Sequence, residues 1–351
     1  MIPPSHRFGF MKKYNVGIIG YGWVSGAHIA AINATSQAQV TRIYSSRKLD
    51  SIEVSARHGT KITCHTDLDY MLSDPDLHVV SVCGYPQNHA RDAIAAAKAG
   101  KHLIIEKPLG LTLDETQSVE RAIRAAGVKA CVCFECRFSS QLLTTKSVID
   151  AGLLGQLHYG EVDYFHGIGP WYGQFRWNTR KDAGGSSLLS AGCHALDGLL
   201  LCLGEDVASV SSYATQSTNR DFARYEYPTT TVTILKFKSG AIGKVASVID
   251  CLQPYYFHVH LVGSEGSLLD NKLFSSRIEG LDKQHWSQLS TKMLDSGDVS
   301  DHPYLKQFEA FFESLDRGHE MPLTSLAHAL RTHEVIFAAD RSIAEGREVK
   351  L

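Results

Sequence analysis

A short apolar run, Tyr14 to Ile19 (YNVGII), passes directly into Gly20-Tyr21-Gly22-Trp23-Val24-Ser25, and a helical pattern carrying His28, Ile29 and Ile32 follows. Strand, glycine turn and helix in that order narrow the possible folds sharply. Gly20 permits the tight turn, and Gly22 removes the side chain that would block a pyrophosphate. The helix N-terminus beyond offers free N–H groups and the positive end of a dipole. The third glycine position holds Ser25, small enough for close helix–strand packing, with Gly26 beside it. Trp23, Val24 and Ser25 complete the candidate dinucleotide turn. A single G-x-G-x-x-S is a weak fingerprint, so the rest of the chain has to carry the reading.

From Tyr14 to about Cys133, short apolar strands alternate with helical segments. The strands fall at 14–19, 39–44, 78–83, 102–106 and 128–134, and the helices between them include Asn88–Ala99 and Leu113–Ala126. Such alternation predicts an α/β, Rossmann-type doubly wound parallel sheet. The pattern then changes. Strand-like runs at 157–166, 207–216, 228–237, 241–250 and 256–263 follow one another, which predicts an α+β domain on a large, mainly antiparallel sheet. Pro303 to Gly346 returns to helical spacing. With 351 residues, two domains are expected. They are a dinucleotide-binding domain over 12–134 and a substrate-binding and oligomerisation domain over 135–351, the C-terminal helices packing back toward the first. Met11-Lys12-Lys13 reads as an alternative beginning, with the first ten residues a loose extension.

A formal charge of −2 and 21% charged residues give no electrostatic footprint for nucleic acid or an anionic membrane. No apolar run approaches the roughly 18 residues of a membrane span, and Met1 to Phe10 lacks the features of a signal peptide. Eight scattered cysteines fit reduced thiols in a cytoplasmic protein. The spacing of Cys131, Cys133 and Cys136 could feed a zinc site. No second C-x-x-C or H-x-x-x-H cluster accompanies it, and Val132 and Phe134 make the segment a buried strand, so no metal is expected.

In a doubly wound sheet, ligands sit beyond the carboxyl ends of the strands. After the second strand stand Ser45, Ser46 and Arg47, where an NAD-specific chain would usually offer a carboxylate. Two hydroxyls and an arginine could receive a 2′-phosphate, which tilts the cofactor from NAD toward NADP; solvated loop charges are the alternative. After 78–83 come Gly84, Tyr85 and Pro86, a turn suited to the nicotinamide ribose, with Asn88 as a candidate N-cap and His89 at the helix start. The strand at 102–106 runs into Glu106-Lys107-Pro108. A charged pair ending a buried strand is costly unless something polar waits there. The Lys107 ammonium could stabilise alkoxide character, partial burial could lower its pKa, and Pro108 could be cis. In the second half, Ser190, His194 and Asp197 fall at i, i+4 and i+7 of a helix after Gly184-Gly185. They could form one proton-transfer face, with His194 as base and Asp197 or Ser190 orienting it; the bland alternative is a histidine satisfied at a domain interface.

Taken together, GYGWVSGAH at 20–28, AAKAGKHLIIEKPLG at 96–110, GGSSLLSAGCHALD at 184–197, HLVGSEGSLL at 260–269 and SIAEGREVKL at 342–351 resemble the Gfo/Idh/MocA family of oxidoreductases over nearly the whole chain. The resemblance implies that Lys107 contacts substrate and nicotinamide, that His194 is the catalytic histidine, and that the chain forms a homodimer or homotetramer. Two positions depart from the family pattern. Ser190 stands where members commonly have aspartate, and Gly84-Tyr85-Pro86 replaces a frequent Thr-Pro-Asn, while His89 keeps its place. The aromatic segment 164–178, with Tyr172, Arg176 and Trp177, suits a pyranose face, the favoured reading; Trp171 and Trp177 as core or interface anchors are the alternative. The expected activity is NAD(P)-dependent oxidation of a secondary hydroxyl, at C3, of a pyranose or glycoside. Inositol or aldose dehydrogenation, a glycosidase working through transient oxidation with tightly bound NAD, and a dinucleotide-binding sugar-pathway regulator are the alternatives.

Overall fold

The computed structural model describes residues 14–351; the candidate start at Met11-Lys12-Lys13 and the extension before it lie outside the described residues. Six parallel strands form the first sheet: β1 (Tyr14–Ile19), β2 (Ala38–Tyr44), β3 (Thr63–His65), β4 (Val79–Val82), β5 (His102–Ile105) and β6 (Ala130–Val132), in the order β3-β2-β1-β4-β5-β6. Their apolar runs are covered on both faces, with Val16, Ile18, Val79, Val80, Leu103 and Ile104 wholly buried, which is why they read as continuous rather than alternating. The order reverses between β1 and β4, opening a cleft past their carboxyl ends. Gly20 closes β1 at φ 93°, and a Cβ there would lie 2.7 Å from the Gly84 Cα beyond β4. Only glycine lets the two loops meet.

The second sheet contains β7 (Leu157–Phe165), β8 (Val207–Thr215), β9 (Thr230–Phe237), β10 (Ile242–Val248), β11 (Tyr256–Gly263), β12 (Gly266–Leu269), β13 (Lys272–Ser275), β14 (Ser287–Gln288) and β15 (Val349–Lys350). Its order is β14-β13-β12-β11-β7-β10-β9-β8-β15, antiparallel throughout except for the parallel pair β7 and β10. The helices Cys193–Leu203 and Leu326–Glu345 cover one face. The other face carries the alternate residues Tyr213, Ile234, Ile242 and Tyr256, all exposed.

The helix Tyr304–Asp316 returns to the first sheet's helix Ser25–Ala34 and buries Phe308, Phe311 and Phe312 among Val16, Ile18 and Ile29. Each ring contributes about 2 kcal/mol of apolar burial. The helix Leu326–Glu345 is tied to the loop after β5 by Leu109 N–H donating to His333 Nε2 at 2.9 Å.

Several boundaries differ from the sequence expectation. β3 and the strands β12 to β15 are too short or too polar to register as apolar runs. The helix placed at Asn88–Ala99 spans Pro86–Lys98, with Tyr85 as its N-cap instead of Asn88, because proline at the first turn has no N–H to satisfy. The Gly184–Asp197 segment is not one regular helix: Leu188–Gly192 forms a π-turn before Cys193–Leu203. Among the described residues, the helical stretch 181–203 is long and apolar enough to meet the length and composition of a membrane span, contrary to the expectation of none. It is instead mostly buried as a core helix against β7 and β10.

Candidate active site

A cavity of about 810 Å³ runs from the glycine turn to the helix of His194. On the first wall stand Gly20, Gly22, Trp23 and Val24, then Ser45, Ser46 and Arg47, then Gly84, Tyr85 and His89. A Cβ on Gly22 would meet nothing within 4 Å, so the space beside its Cα is open. No side chain caps the helix Ser25–Ala34. An uncapped helix start behind an open glycine is the cradle a pyrophosphate needs, and the residues fit a dinucleotide. Ser25 departs from the expected cofactor set: its hydroxyl donates to the Gly22 carbonyl at 2.8 Å and is fully buried, so it closes the turn and leaves only its backbone for a ligand. Arg47 donates to the Tyr21 carbonyl at 3.0 Å, and Ser45 Oγ accepts from the Arg47 backbone. His89 bridges the two loops, Nδ1 2.7 Å from the Pro108 carbonyl and Nε2 3.1 Å from that of Gly84.

The Lys107–Pro108 peptide is cis. Lys107 reaches across the cavity floor, its ammonium donating to the Ser190 carbonyl at 2.9 Å. Burial alone would lower its pKa, but Cys193 and the carboxylates of Glu106 and Glu135 hold it above the usual lysine value. The expected depression is therefore reversed, and the residue is a fixed cation. Glu106 also lines the cavity, yet its carboxylate is already engaged. Oε1 takes His28 Nε2 at 2.9 Å and the Tyr304 hydroxyl at 2.8 Å, and Oε2 takes the Lys107 N–H. It serves as counter-charge to His28 and Lys107 rather than as a free ligand for a cofactor.

His194 is 5% exposed and lines the same cavity. Burial, opposed by Glu135 and reinforced by Lys107 and His302, lowers its pKa to about 4, so the ring is neutral at ordinary pH. Ser190, in the π-turn, and His194, in the helix after it, both line the cavity, but Asp197 does not, so the expected three-residue face is not formed. The Ser190 hydroxyl lies 3.5 Å from that of Tyr227. Asp197 turns away into a bidentate pair with Arg137, at 2.6 and 2.8 Å, and accepts from Thr332 at 2.8 Å. It is structural and does not orient His194. The carboxylate facing the imidazole is Glu135, whose Oε1 lies 3.8 Å from His194 Nε2.

Tyr172, Arg176 and Trp177 all line the cavity, whereas Trp171 is 59% exposed with its indole N–H on the Gly167 carbonyl. Trp23 meets Tyr172 edge-on at 5.5 Å and Tyr85 meets Trp177 at 6.1 Å, so aromatic pairs join the two walls. Sequence reasoning missed Glu135, His302 and Tyr304. The signal for Glu135 was its place just past a parallel strand, where ligands collect. His302 and Tyr304 come from a segment more than 160 residues after Glu135 and carried no local signal.

The three cysteines of the C-x-C-x-x-C spacing separate. Cys133 lies with His28 and Glu106, Cys136 with Glu135 and His194, and Cys131 against Thr324. The Lys107 ammonium competes for the carboxylates in the first two groups, which disfavours a divalent ion there.

Two family models match the chain: the oxidoreductase family NAD-binding Rossmann fold (GFO_IDH_MocA) over residues 14–134 and the corresponding C-terminal alpha/beta domain over residues 146–351. The chain is similar to the myo-inositol 2-dehydrogenase of Thermotoga maritima, 24% identical over 338 residues, covering 96% of this chain and 98% of that one. It is 25% identical over 354 residues to the scyllo-inositol 2-dehydrogenase (NADP(+)) IolW of Bacillus subtilis, covering 96% and 95%. Among solved structures, levoglucosan dehydrogenase in complex with NADH and levoglucosan shares the fold with a TM-score of 0.84 at 22% identity, covering 97% of this chain and 99% of that one.

Proposed function

This chain belongs to the Gfo/Idh/MocA oxidoreductase family, and from that premise we propose that it oxidises a secondary ring hydroxyl of a pyranose or glycoside, at C3, passing hydride to NAD or NADP. When bound, the nicotinamide supplies the hydride acceptor. Everything else falls to the protein. His194, neutral and buried, takes the hydroxyl proton. Lys107, pinned to the Ser190 carbonyl and held in its charged form, donates a hydrogen bond to the oxygen as alkoxide character develops. The observation that carries this reading is the convergence of Lys107 and His194 in one cavity with an uncapped, glycine-opened helix start.

Ser45, Ser46 and Arg47, with no carboxylate among them, favour acceptance of a 2′-phosphate. Tyr172, Arg176 and Trp177 supply the ring-stacking and hydroxyl-binding wall. A cyclitol offers the same secondary alcohol, and two relatives carry inositol dehydrogenase names; inositol oxidation is the second reading. We further propose self-association through the sheet face bearing Tyr213, Ile234, Ile242 and Tyr256, which light scattering tests.

The deciding experiment is absorbance of reduced nicotinamide with pyranoses, glycosides and inositols, each with NAD and with NADP, alongside the as-purified nucleotide content. Turnover with a ring alcohol is expected, and the product identifies the carbon. Silence with tightly bound nucleotide would favour an internal-redox glycosidase; silence without it would favour a sensor.

A further inference from the structure

We infer that Glu135 is the positioning residue for His194: its carboxylate, carried on the turn after β6 and not on the histidine's own helix, selects the Nε2–H tautomer and stabilises the imidazolium formed at proton transfer. The inference rests on the reading of His194 as base. In the step, the substrate O–H bond breaks, an N–H bond forms at His194 Nδ1, and the carbon-bound hydrogen leaves with its electron pair to the nicotinamide.

Four observations converge. Glu135 is 1% exposed, yet neither carboxylate oxygen has a hydrogen-bond partner. His194 Nε2 faces it at 3.8 Å, while His194 Nδ1 is also without a partner. On the other side His302 Nδ1 lies 2.8 Å from Oε1, an ion-pair distance whose angles fall short of a hydrogen bond. Finally, the alternatives are occupied: Ser190 lies by Tyr227 and Asp197 is committed to Arg137 and Thr332. Among the described residues, Glu135 is the one carboxylate within ion-pair distance of His194.

A buried carboxylate with no well-aligned hydrogen bond, its nearest partner an imidazole at 2.8 Å, is costly in a purely structural role. Beside an imidazole that must gain charge it is useful, because the attraction appears when the proton arrives, and such contacts tighten in the reacting complex. Burial would raise the Glu135 pKa, but His194, His302 and Lys107 together draw it to about 2. His302 is raised in turn, Glu135 outweighing its burial. The other titratable groups facing the pair are Lys107 and Glu106 from the loop after β5, Cys136 beside Glu135, Cys193 beside His194, Tyr304 from the C-terminal segment and Tyr255 from the second sheet. None of them changes between the variants compared below.

The test combines isotope-labelled histidine NMR with kinetics on full-length protein, comparing wild type, Glu135→Gln and Glu135→Asp. At neutral pH wild-type His194 is expected as the Nε2–H tautomer. Glu135→Gln should lose that preference, lower the His194 titration midpoint, and reduce kcat about 10- to 100-fold with KM changed less than about threefold. Glu135→Asp should recover part of each. An unchanged His194 tautomer and midpoint in Glu135→Gln, with kcat within about twofold of wild type, would overturn the inference. If wild type itself reduces neither nucleotide, the function reading fails, and the NMR comparison still decides the Glu135–His194 coupling on its own.

Discussion

Glu135 and Arg137 stand two residues apart on one short turn, both almost wholly buried, and they have opposite surroundings. Arg137 is saturated: two hydrogen bonds to Asp197, one to the Leu323 carbonyl, and Thr332 completing the aspartate. Glu135 makes no well-aligned hydrogen bond and faces two imidazoles, His302 Nδ1 at 2.8 Å and His194 Nε2 at 3.8 Å. A guanidinium cannot discharge, so removing its partner strands a charge in the core. Histidines can release a proton, so removing Glu135 strands little, and Lys107 keeps Glu106. One charge pair ties the turn after β6 to the helix Cys193–Leu203, and the other is left open toward the cavity.

The largest effect should come from breaking the saturated pair. Asp197→Ala is expected to cost about 3 to 5 kcal/mol of stability, read from urea unfolding; a loss below about 1 kcal/mol would mean the pair is not structural. Lys107→Met and His194→Ala should each cut turnover about a hundredfold, some 2.7 kcal/mol of barrier, with near-native unfolding. Near-normal turnover in either would remove that residue from the mechanism.

The pH profile sharpens the same contrast. His194 has its pKa lowered to about 4, so kcat/KM should be flat through the neutral range and fall only as pH drops toward that value. The sign follows from protonation: below the midpoint the base is already occupied. An acid limb near the ordinary histidine value would contradict the burial of this ring. Smallest of all, Arg47→Ala should shift preference from NADP toward NAD by about 5- to 10-fold, measured as the ratio of kcat/KM values. No change in that ratio would leave Arg47 as a loop cation.

The first wall was legible because its information is local. YNVGII and Gly20-x-Gly22 encode strand, turn and open cradle within ten residues, and Glu106-Lys107-Pro108 lies immediately after its strand. The second wall is assembled over distance: Glu135, His194 and His302 come from three separate segments, and no short window contains them. The i, i+4, i+7 argument for Ser190, His194 and Asp197 failed at its last member because spacing does not reveal partners: His194 and Asp197 share the regular helix Cys193–Leu203, but Arg137 and Thr332 take the Asp197 carboxylate. The family pattern pointed to His194, which lines the cavity, but not to the carboxylate beside it, since that carboxylate is on another element.

Stability and turnover measured in parallel for Asp197→Asn and Glu135→Gln test the division between these two buried charges most directly. Asp197→Asn is expected to unfold at markedly lower urea while its folded fraction keeps most of its turnover, and Glu135→Gln to unfold near wild type while losing at least about tenfold in kcat. If both variants lost stability and turnover in the same proportion, the two pairs would share one structural role and the account of the site would be wrong.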